Sequence, residues 1–387
     1  MVRELVAIDM PASDAFVTTV KQIWDSGNAV LPIDQRLPEI SRTKLLAEMG
    51  ASAVVSADGS HTTLGHGRPV EIGDALVIAT SGSTGQSKGV VHTHDSILFA
   101  TKTTVARLRC TAEDHWLACI SLAHVGGLSV VLRALHLGSR LTINSRADQA
   151  TILAALDNGA TMTSLVPTVL RSVDISRFKT VLIGGSNAPD NLPSNAISTY
   201  GLTETMGGVV YDGVPLDGVE IRLGEDSEIE IRSKSLLRCY RNGVDPKTND
   251  GWLRTGDLGD LRDGGLKVLG RQDELINTGG FKVWPSTVEN SIRQLEVVTD
   301  VFVAATPDKK WGSAVTAWVV LQPNVANLQL IVLRDHVQET LPDYCAPRKL
   351  FVVKQIPKSS LGKVQMTQLL KLSHESYEPH ESHKSIE

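Results

Sequence analysis

The stretch ATSGSTGQSKGVVHTH, residues 79–94, sets Thr80, Ser81, Ser83, Thr84 and Ser87 around Gly82, Gly85 and Gly89, with Lys88 among them. Bare backbone N–H groups, hydroxyl donors and a mobile ammonium together suit phosphate oxygens. The spacing is not that of the common nucleoside-triphosphate loop, in which Gly directly precedes Lys-[Ser/Thr]; here Ser87 precedes Lys88 and Gly89 follows it. A Ser/Gly-rich surface linker has a similar composition, but this stretch lies between two apolar runs.

The elements that must position the loop follow from periodicity. Phe16, Val17, Val20, Ile23 and Trp24 fall at helical spacing within residues 14–27, and NAVLPID gives a short apolar run of strand type. The alternation goes on through PEISRTKLLAEMG as helix, ASAVV and ALVIAT as strands, HWLACISL, DQATILAALDNG as helix, and KTVLIGG. Strands alternating with helices predict an open, largely parallel sheet covered on both faces, with ligands at the carboxyl ends of its strands. After about residue 210, VEIRLGEDSEIEIRS and GWLRTGDLGDLRDGGLKVLGR alternate polar with apolar residues between Gly/Asp turns, which predicts an appended antiparallel, barrel-like region. From Glu274 the order is strand, helix (PSTVENSIRQL), two strands, helix (LQLIVLRDHVQETL) and strand (KLFVVK), a small α+β domain. The expected fold is therefore α/β. A large N-terminal domain (1–272) carries mixed and parallel sheets covered by helices plus the antiparallel region, a small separate C-terminal α+β domain spans 273–372, and 373–387 form a polar tail.

At 387 residues, 42% hydrophobic and 21% charged, the chain has the composition of a globular protein with a sizeable core. A net charge of -5 gives no footprint for nucleic acid or an anionic membrane, so a small-molecule partner is expected. Cys110, Cys119, Cys239 and Cys345 lack ligand-like spacing and read as reduced thiols of a cytoplasmic protein. MVRELVAIDM does not look like a leader, and no run approaches the roughly 18 apolar residues of a membrane span. The histidines of HESYEPHESHKSIE read as part of a frayed polar tail rather than as metal ligands. The oligomeric state stays open, a homodimer included.

TSGSTGQSKGV resembles the signature phosphate loop of the adenylate-forming superfamily of acyl- and aryl-CoA synthetases, luciferases and peptide-synthetase adenylation domains. Its pattern is [Ser/Thr]-Ser-Gly-[Ser/Thr]-Thr-Gly-x-Pro-Lys-Gly, and Ser87 stands at the proline, which removes a fixed φ but keeps the donors and Lys88. Further motifs follow in the superfamily's order, covering the chain from about residue 25 to 370. YGLTET is similar to its Tyr-Gly-x-Thr-Glu motif, which implies Tyr200 and Gly201 at the adenine, Thr203 on a phosphate and Glu204 on magnesium, a hard cation that favours a carboxylate. IGGSNAP resembles the adenine-side turn, implying Gly185, Ser186 and Asn187. TGDLG and GRQDE imply Asp257 and Arg271 as ribose contacts; alone, Asp257 fits an ordinary turn. IPKSSLGKVQ resembles the closing motif and implies that Lys363 meets the carboxylate and α-phosphate during adenylation, although by itself it reads as a solvated lysine. The resemblance further implies a hinge at Asp273, with Gly279 and Gly280 approaching the pantetheine arm of coenzyme A; an ordinary turn fits all three.

His124, in SLAHVGGLSVVLRALHLGS, matches the histidine lining the superfamily's acyl pocket, and Arg133 follows nine residues later on a predicted helix. That spacing, VLIGGSNAP and YGLTETMGGVVYDGVPLDGVEIRL with its Gly207 are similar to the short actinobacterial type of o-succinylbenzoate:CoA ligase of menaquinone biosynthesis. A dianionic acid would need such a cation, because an unpaired buried charge is costly; a solvent-facing helix position is the plain alternative for Arg133. The implied activity is that of an AMP-forming acid–thiol ligase using ATP, Mg²⁺ and coenzyme A. The alternatives are a ligase for another aromatic or medium-chain acid, a carrier-loading adenylation enzyme, or a degenerate nucleotide-binding protein.

Overall fold

The computed structural model describes residues 2–81, 87–170, 172–185, 191–262, 265–358 and 364–375. The chain divides into two compact units: one runs to Thr255 and includes Asp260–Lys267, while Gly256–Gly259 and the chain from Val268 onward form the other. Asp257 and Arg271 thus belong to the second unit, and Tyr200 and Glu204 to the first.

The first unit holds two sheets with parallel centres. In the first, β1 (Leu5–Asp9) lies between β2 (Ala29–Pro32) and β3 (Ala53–Ser56), parallel to both. β4 (His61–Thr63) closes one edge, β5 (Asp74–Ser81) joins β2 in parallel, and β6 (Ser87–Thr93) turns back antiparallel to β5. Leu5, Ala7, Ala29, Leu31 and Val77 are fully buried, as expected of strands covered on both faces. The sequence reading begins its alternation at Asp14 and leaves LVAID without an element, yet it is central to this sheet. Helix α1 (Asp14–Asp25) starts where the Ser13 hydroxyl accepts from the Phe16 N–H, and turns Phe16, Val17, Val20 and Ile23 inward. Helix α2 (Glu39–Met49) ends on Gly50 at φ 62°, a left-handed cap that glycine takes at little cost. Helix α3 (His94–Leu108) opens with a capping box between Thr93 and Ser96.

In the second sheet β7 (His115–Ala118) pairs in parallel with β8 (Arg140–Ile143) and β9 (Met162–Leu165). It continues through β10 (Thr180–Ile183) and β11 (Ala196–Leu202) to antiparallel β12 (Gly207–Tyr211). Helices α4 (Val125–Leu137) and α5 (Gln149–Asp157) form crossovers, α5 capped by Asp148. Leu117, Ile152, Leu165, Val181 and Ile183 build the core beneath α5. The antiparallel region begins as the hairpin of β13 (Glu220–Leu223) and β14 (Glu228–Arg232), and β15 (Cys239–Tyr240) returns to pair with β6. The division between units passes through β16 (Leu253–Arg262) and β17 (Gly265–Arg271).

In the second unit the hairpin of β18 (Ile276–Thr278) and β19 (Phe281–Val283) precedes α6 (Pro285–Ile292), which has Pro at its first position. The long hairpin β20 (Val298–Asp308) and β21 (Gly312–Leu321) gains β22 (Lys349–Val352) in parallel. One face buries Val301, Val303, Val315 and Val319 with Val288, Ile292, Leu333 and Val337, the last two from α7 (Leu330–Gln338). The other face buries Trp318 with Val353, Ile356 and Leu369 of α8 (Met366–Glu375), which runs past Leu372 into the segment read as tail. No helix among the described residues is long and apolar enough to cross a membrane.

Candidate active site

The carboxyl ends of the parallel strands, and the elements that start there, carry most of the candidate residues of the first unit. β5 ends on Thr80 and Ser81, and the returning β6 sets Lys88 opposite Thr80, so Lys88 stands on a strand. Gly82, Ser83, Thr84 and Gly85 lie outside the described residues, as do Ser186, Asn187 and Lys363. Gly89 has a packing reason of its own, since a Cβ there would come 2.6 Å from Met49 Sδ and 2.7 Å from Arg241 Cβ.

Tyr200 and Gly201 lie on β11, and Thr203 and Glu204 form the 3₁₀ turn that follows. A Cβ on Gly201 would collide with the Gly207 carbonyl, so β11 and β12 can approach this closely only with glycine there. The Thr205 hydroxyl accepts from the Leu202 N–H at 2.8 Å and closes the turn. A strand of the first sheet and the segment leading into β15 clasp it. His92 Nε2, on β6, donates to the Thr203 carbonyl at 2.7 Å, and the Leu237 N–H donates to the Glu204 carbonyl at 2.8 Å. Because Nε2 faces a carbonyl it carries the proton, and Nδ1 is left to accept from the Ser96 hydroxyl at 3.2 Å. Burial keeps this ring neutral and lowers its pKa to about 4.

The Glu204 side chain is held as well. Tyr240 Oη donates to Glu204 Oε1 at 2.9 Å, while Lys88 Nζ lies 5.0 Å from the centre of the Tyr240 ring. Burial first, and then the Glu204 charge, push the Tyr240 phenol well above its ordinary value, so it stays a donor.

His124 is the N-cap residue of α4, and a Cβ built on Gly207 would lie 3.8 Å from Val125 Cγ2, which places Gly207 beside the start of that helix. Asp34, just beyond β2, takes two guanidinium bonds from Arg36, both 2.9 Å, and its Oδ2 lies 3.3 Å from His124 Nε2. Burial works to raise the Asp34 carboxyl, but the His124 and Arg36 donors outweigh it and hold the group well below the usual carboxylate range. Arg133 lies two and a half turns along α4, about 13 Å from His124 by helical rise. It is 5% exposed, so the solvent-facing alternative does not hold. Its guanidinium stacks 4.6 Å from the Trp116 ring and donates to Ser164 Oγ at 3.1 Å, while its buried Nε has no partner and no carboxylate pairs with it among the described residues. It borders a cavity of about 10 Å³, room for a single water, with Thr101, Thr104, Ser129, Leu132 and Met206.

In the second unit Asp257 is 6% exposed and pairs with Arg271 Nη1 at 3.2 Å, and Asp273 takes Arg271 Nε at 3.1 Å. Arg271 therefore spans the proposed ribose acid and the proposed hinge. Gly279 and Gly280, at φ 59° and 87°, form the two-residue turn of the β18–β19 hairpin, which demands that backbone. A Cβ on Gly279 would meet Trp311 Cε3 at 2.5 Å. Among the described residues no three His, Cys, Asp or Glu side chains gather as a metal cage. A single carboxylate such as Glu204 nevertheless suits magnesium, which takes one or two protein carboxylates and fills its shell with phosphate oxygens and water.

Residues 66–234 match the AMP-binding enzyme family, and residues 287–363 match the AMP-binding enzyme C-terminal domain. The "probable 2-succinylbenzoate–CoA ligase" of Mycobacterium tuberculosis is 35% identical over 331 residues, covering 79% of this chain and 86% of its own length. The chain belongs to the AMP-binding enzyme family. Its fold matches o-succinylbenzoate CoA synthetase of Bacillus subtilis in complex with the acyl-adenylate intermediate, with a TM-score of 0.83 at 26% identity over 95% of this chain and 88% of that one. The complex of the Bacillus enzyme with ATP and magnesium ion gives 0.82 at 25% identity over 95% and 89%.

In this AMP-binding enzyme, sequence reasoning missed Asp34, Arg36, His92 and Tyr240. Asp34 and Arg36 had a signal, because an Asp-x-Arg pair directly after the apolar run AVLPI stands where open parallel sheets bind ligands. His92 and Tyr240 had none, since their partners Thr203 and Glu204 lie 111 and 36 residues away.

Proposed function

We propose that this AMP-binding enzyme is an o-succinylbenzoate:CoA ligase: it joins o-succinylbenzoate to AMP with release of pyrophosphate, then passes the acyl group to coenzyme A. The observation that carries the substrate is Arg133, a buried guanidinium without a carboxylate partner among the described residues. Such a group gains most from an acid that brings a second negative charge. The small cavity beside it means that a carboxylate reaching Arg133 displaces part of the lining, and the flexible Met206 is suited to move.

In the first step a carboxylate oxygen attacks the α-phosphorus and the bond to pyrophosphate breaks. The work of the protein is to bring anions together and offset their charge. Lys88, Thr80, Ser81, Gly82, Ser83, Thr84 and Gly85 hold the departing phosphates, and Thr203 donates to another phosphate oxygen. Glu204 would hold magnesium, which when bound would supply neutralisation of the phosphate charge. Gly185, Ser186, Asn187, Tyr200 and Gly201 seat the adenine, and Asp257 and Arg271 the ribose. Lys363 stabilises the carboxylate and α-phosphate, and His124 with Gly207 lines the acyl pocket. In the second step the thiol sulfur attacks the acyl carbon and AMP leaves, with Gly279 and Gly280 beside the pantetheine arm and Asp273 as the hinge between the two steps. Free cysteines at all four positions agree with a cytoplasmic site of action.

Following both products tests the reaction type. With o-succinylbenzoate, ATP and Mg²⁺ the enzyme is expected to release pyrophosphate, and on addition of CoA to release AMP with an equal amount of thioester. AMP release that responds to an acyl carrier protein and not to CoA would make it a carrier-loading enzyme instead.

A further inference from the structure

We infer that Tyr240 is a positioning residue for the Glu204 carboxylate: its hydroxyl fixes Oε1 and so presents Oε2 to the metal–nucleotide complex, an inference that rests on Glu204 being the magnesium ligand. The placement of Tyr240 is over-determined. Its strand β15 is locked to β6 by the pairs Cys239↔Val91 and Tyr240↔Val90, and its N–H donates to the Val244 carbonyl at 2.8 Å. The same segment holds the Glu204 backbone through the Leu237 N–H at 2.8 Å, so carboxylate and phenol are referenced to one piece of chain. The hydroxyl reaches Oε1 at 2.9 Å and has a single proton to give, which leaves Oε2 with both lone pairs.

The ring has a second contact. Lys88 Nζ stands 5.0 Å from its centre, so one side chain touches both the anion proposed for the metal and the cation proposed for the departing phosphates. A direct Lys88–Glu204 ion pair would satisfy each charge with the other and withdraw both from the nucleotide. Tyr240 instead gives Glu204 a neutral donor and Lys88 a neutral π face, keeping each charge local without cancelling it. Partners of this kind orient metal-binding carboxylates, and their loss typically costs about 10- to 100-fold in metal affinity or activity.

The test uses the full chain and Tyr240→Phe, which keeps the ring and its contact with Lys88 but removes the hydroxyl. Mn²⁺ binding in the presence of a non-hydrolysable ATP analogue is titrated by electron paramagnetic resonance for wild type, Tyr240→Phe, Glu204→Gln and the double variant, with each fold checked by thermal unfolding. Tyr240→Phe is expected to weaken Mn²⁺ binding about tenfold with the KM for the acid unchanged. Glu204→Gln is expected to weaken it at least as much, and the double variant no further than Glu204→Gln alone. Wild-type Mn²⁺ affinity in Tyr240→Phe alongside loss in Glu204→Gln would overturn the inference while leaving the metal assignment standing. Wild-type affinity in Glu204→Gln would overturn the metal assignment itself. Losses that multiply in the double variant would show that Tyr240 acts independently of Glu204, and would also overturn the inference.

Discussion

Asp34 joins a guanidinium and an imidazole at the carboxyl end of β2, and its side chain is only 9% exposed. Its charge is therefore poorly screened, and a charge-assisted hydrogen bond in such a place contributes about 1.5–3 kcal/mol. Asp34→Asn keeps the shape but withdraws the charge that holds His124. The expected result is a rise in the KM for the acid of roughly tenfold or more, with the KM for ATP unchanged, measured by steady-state pyrophosphate release. Equal losses for both substrates would mean that Asp34 supports the fold and not the acid pocket. At this scale the hydroxyls and lysines stand out in the sequence because their chemistry is local, though Ser83, Thr84, Ser186 and Lys363 lie outside the described residues. The glycines were only half legible: Gly89 and Gly201 are required by packing against Met49, Arg241 and the Gly207 carbonyl, and Gly279–Gly280 by a hairpin. Sequence spacing does not distinguish a glycine that admits a phosphate from one that admits a neighbouring strand.

Among the elements, β6 holds the turn that carries Thr203 and Glu204, and it does so through His92. The imidazole is neutral in the fold with a pKa near 4, below its ordinary 6.5. A depressed pKa means that the unfolded chain binds the extra proton between those values, so the stability His92 contributes is complete above pH 6.5 and is lost as pH falls toward 4, by about 3 kcal/mol in all. Chemical denaturation from pH 7 to pH 4 is expected to show a shallower acid loss in His92→Gln, whose amide can still donate to the Thr203 carbonyl. An identical pH slope in the two proteins would rule out His92 as a source of the acid sensitivity. Helices α1 and α5 were legible because an amphipathic period together with a cap such as Ser13 or Asp148 states both start and face, whereas α3 was not read although Thr93 caps it. LVAID was not read, although Pro11, Ser13 and Asp14 just beyond it are turn residues, because so short an apolar run does not by itself distinguish strand from helix. ALVIAT was read as strand through Thr80, but its antiparallel partner β6 was hidden by the hydroxyl- and glycine-rich composition around Lys88, which reads as loop although Lys88 pairs with Thr80.

For the whole molecule, the ordered series of motifs from the phosphate loop to Lys363 made the family legible, while pairings such as Asp34 with His124 come only from folding. Two half-reactions in one chain also give a division of labour that kinetics can separate. Lys363→Ala is expected to slow adenylation by about 10²- to 10³-fold and to spare thioester formation from supplied acyl-adenylate, measured by rapid quench of each half-reaction. Equal loss in both would place Lys363 outside the adenylation step. The proposed acid is a dianion whose second carboxylate meets Arg133. The most direct test of this proposal is the ratio of kcat/KM for o-succinylbenzoate to that for 3-benzoylpropionate, which lacks only the ring carboxylate. A strong preference for the dianion is expected, on the order of 10²-fold, as when a buried charge is left unpaired, and Arg133→Met is expected to abolish it. Equal use of the two acids by the wild-type enzyme, or a preference for a monocarboxylic fatty acid, would contradict the proposal.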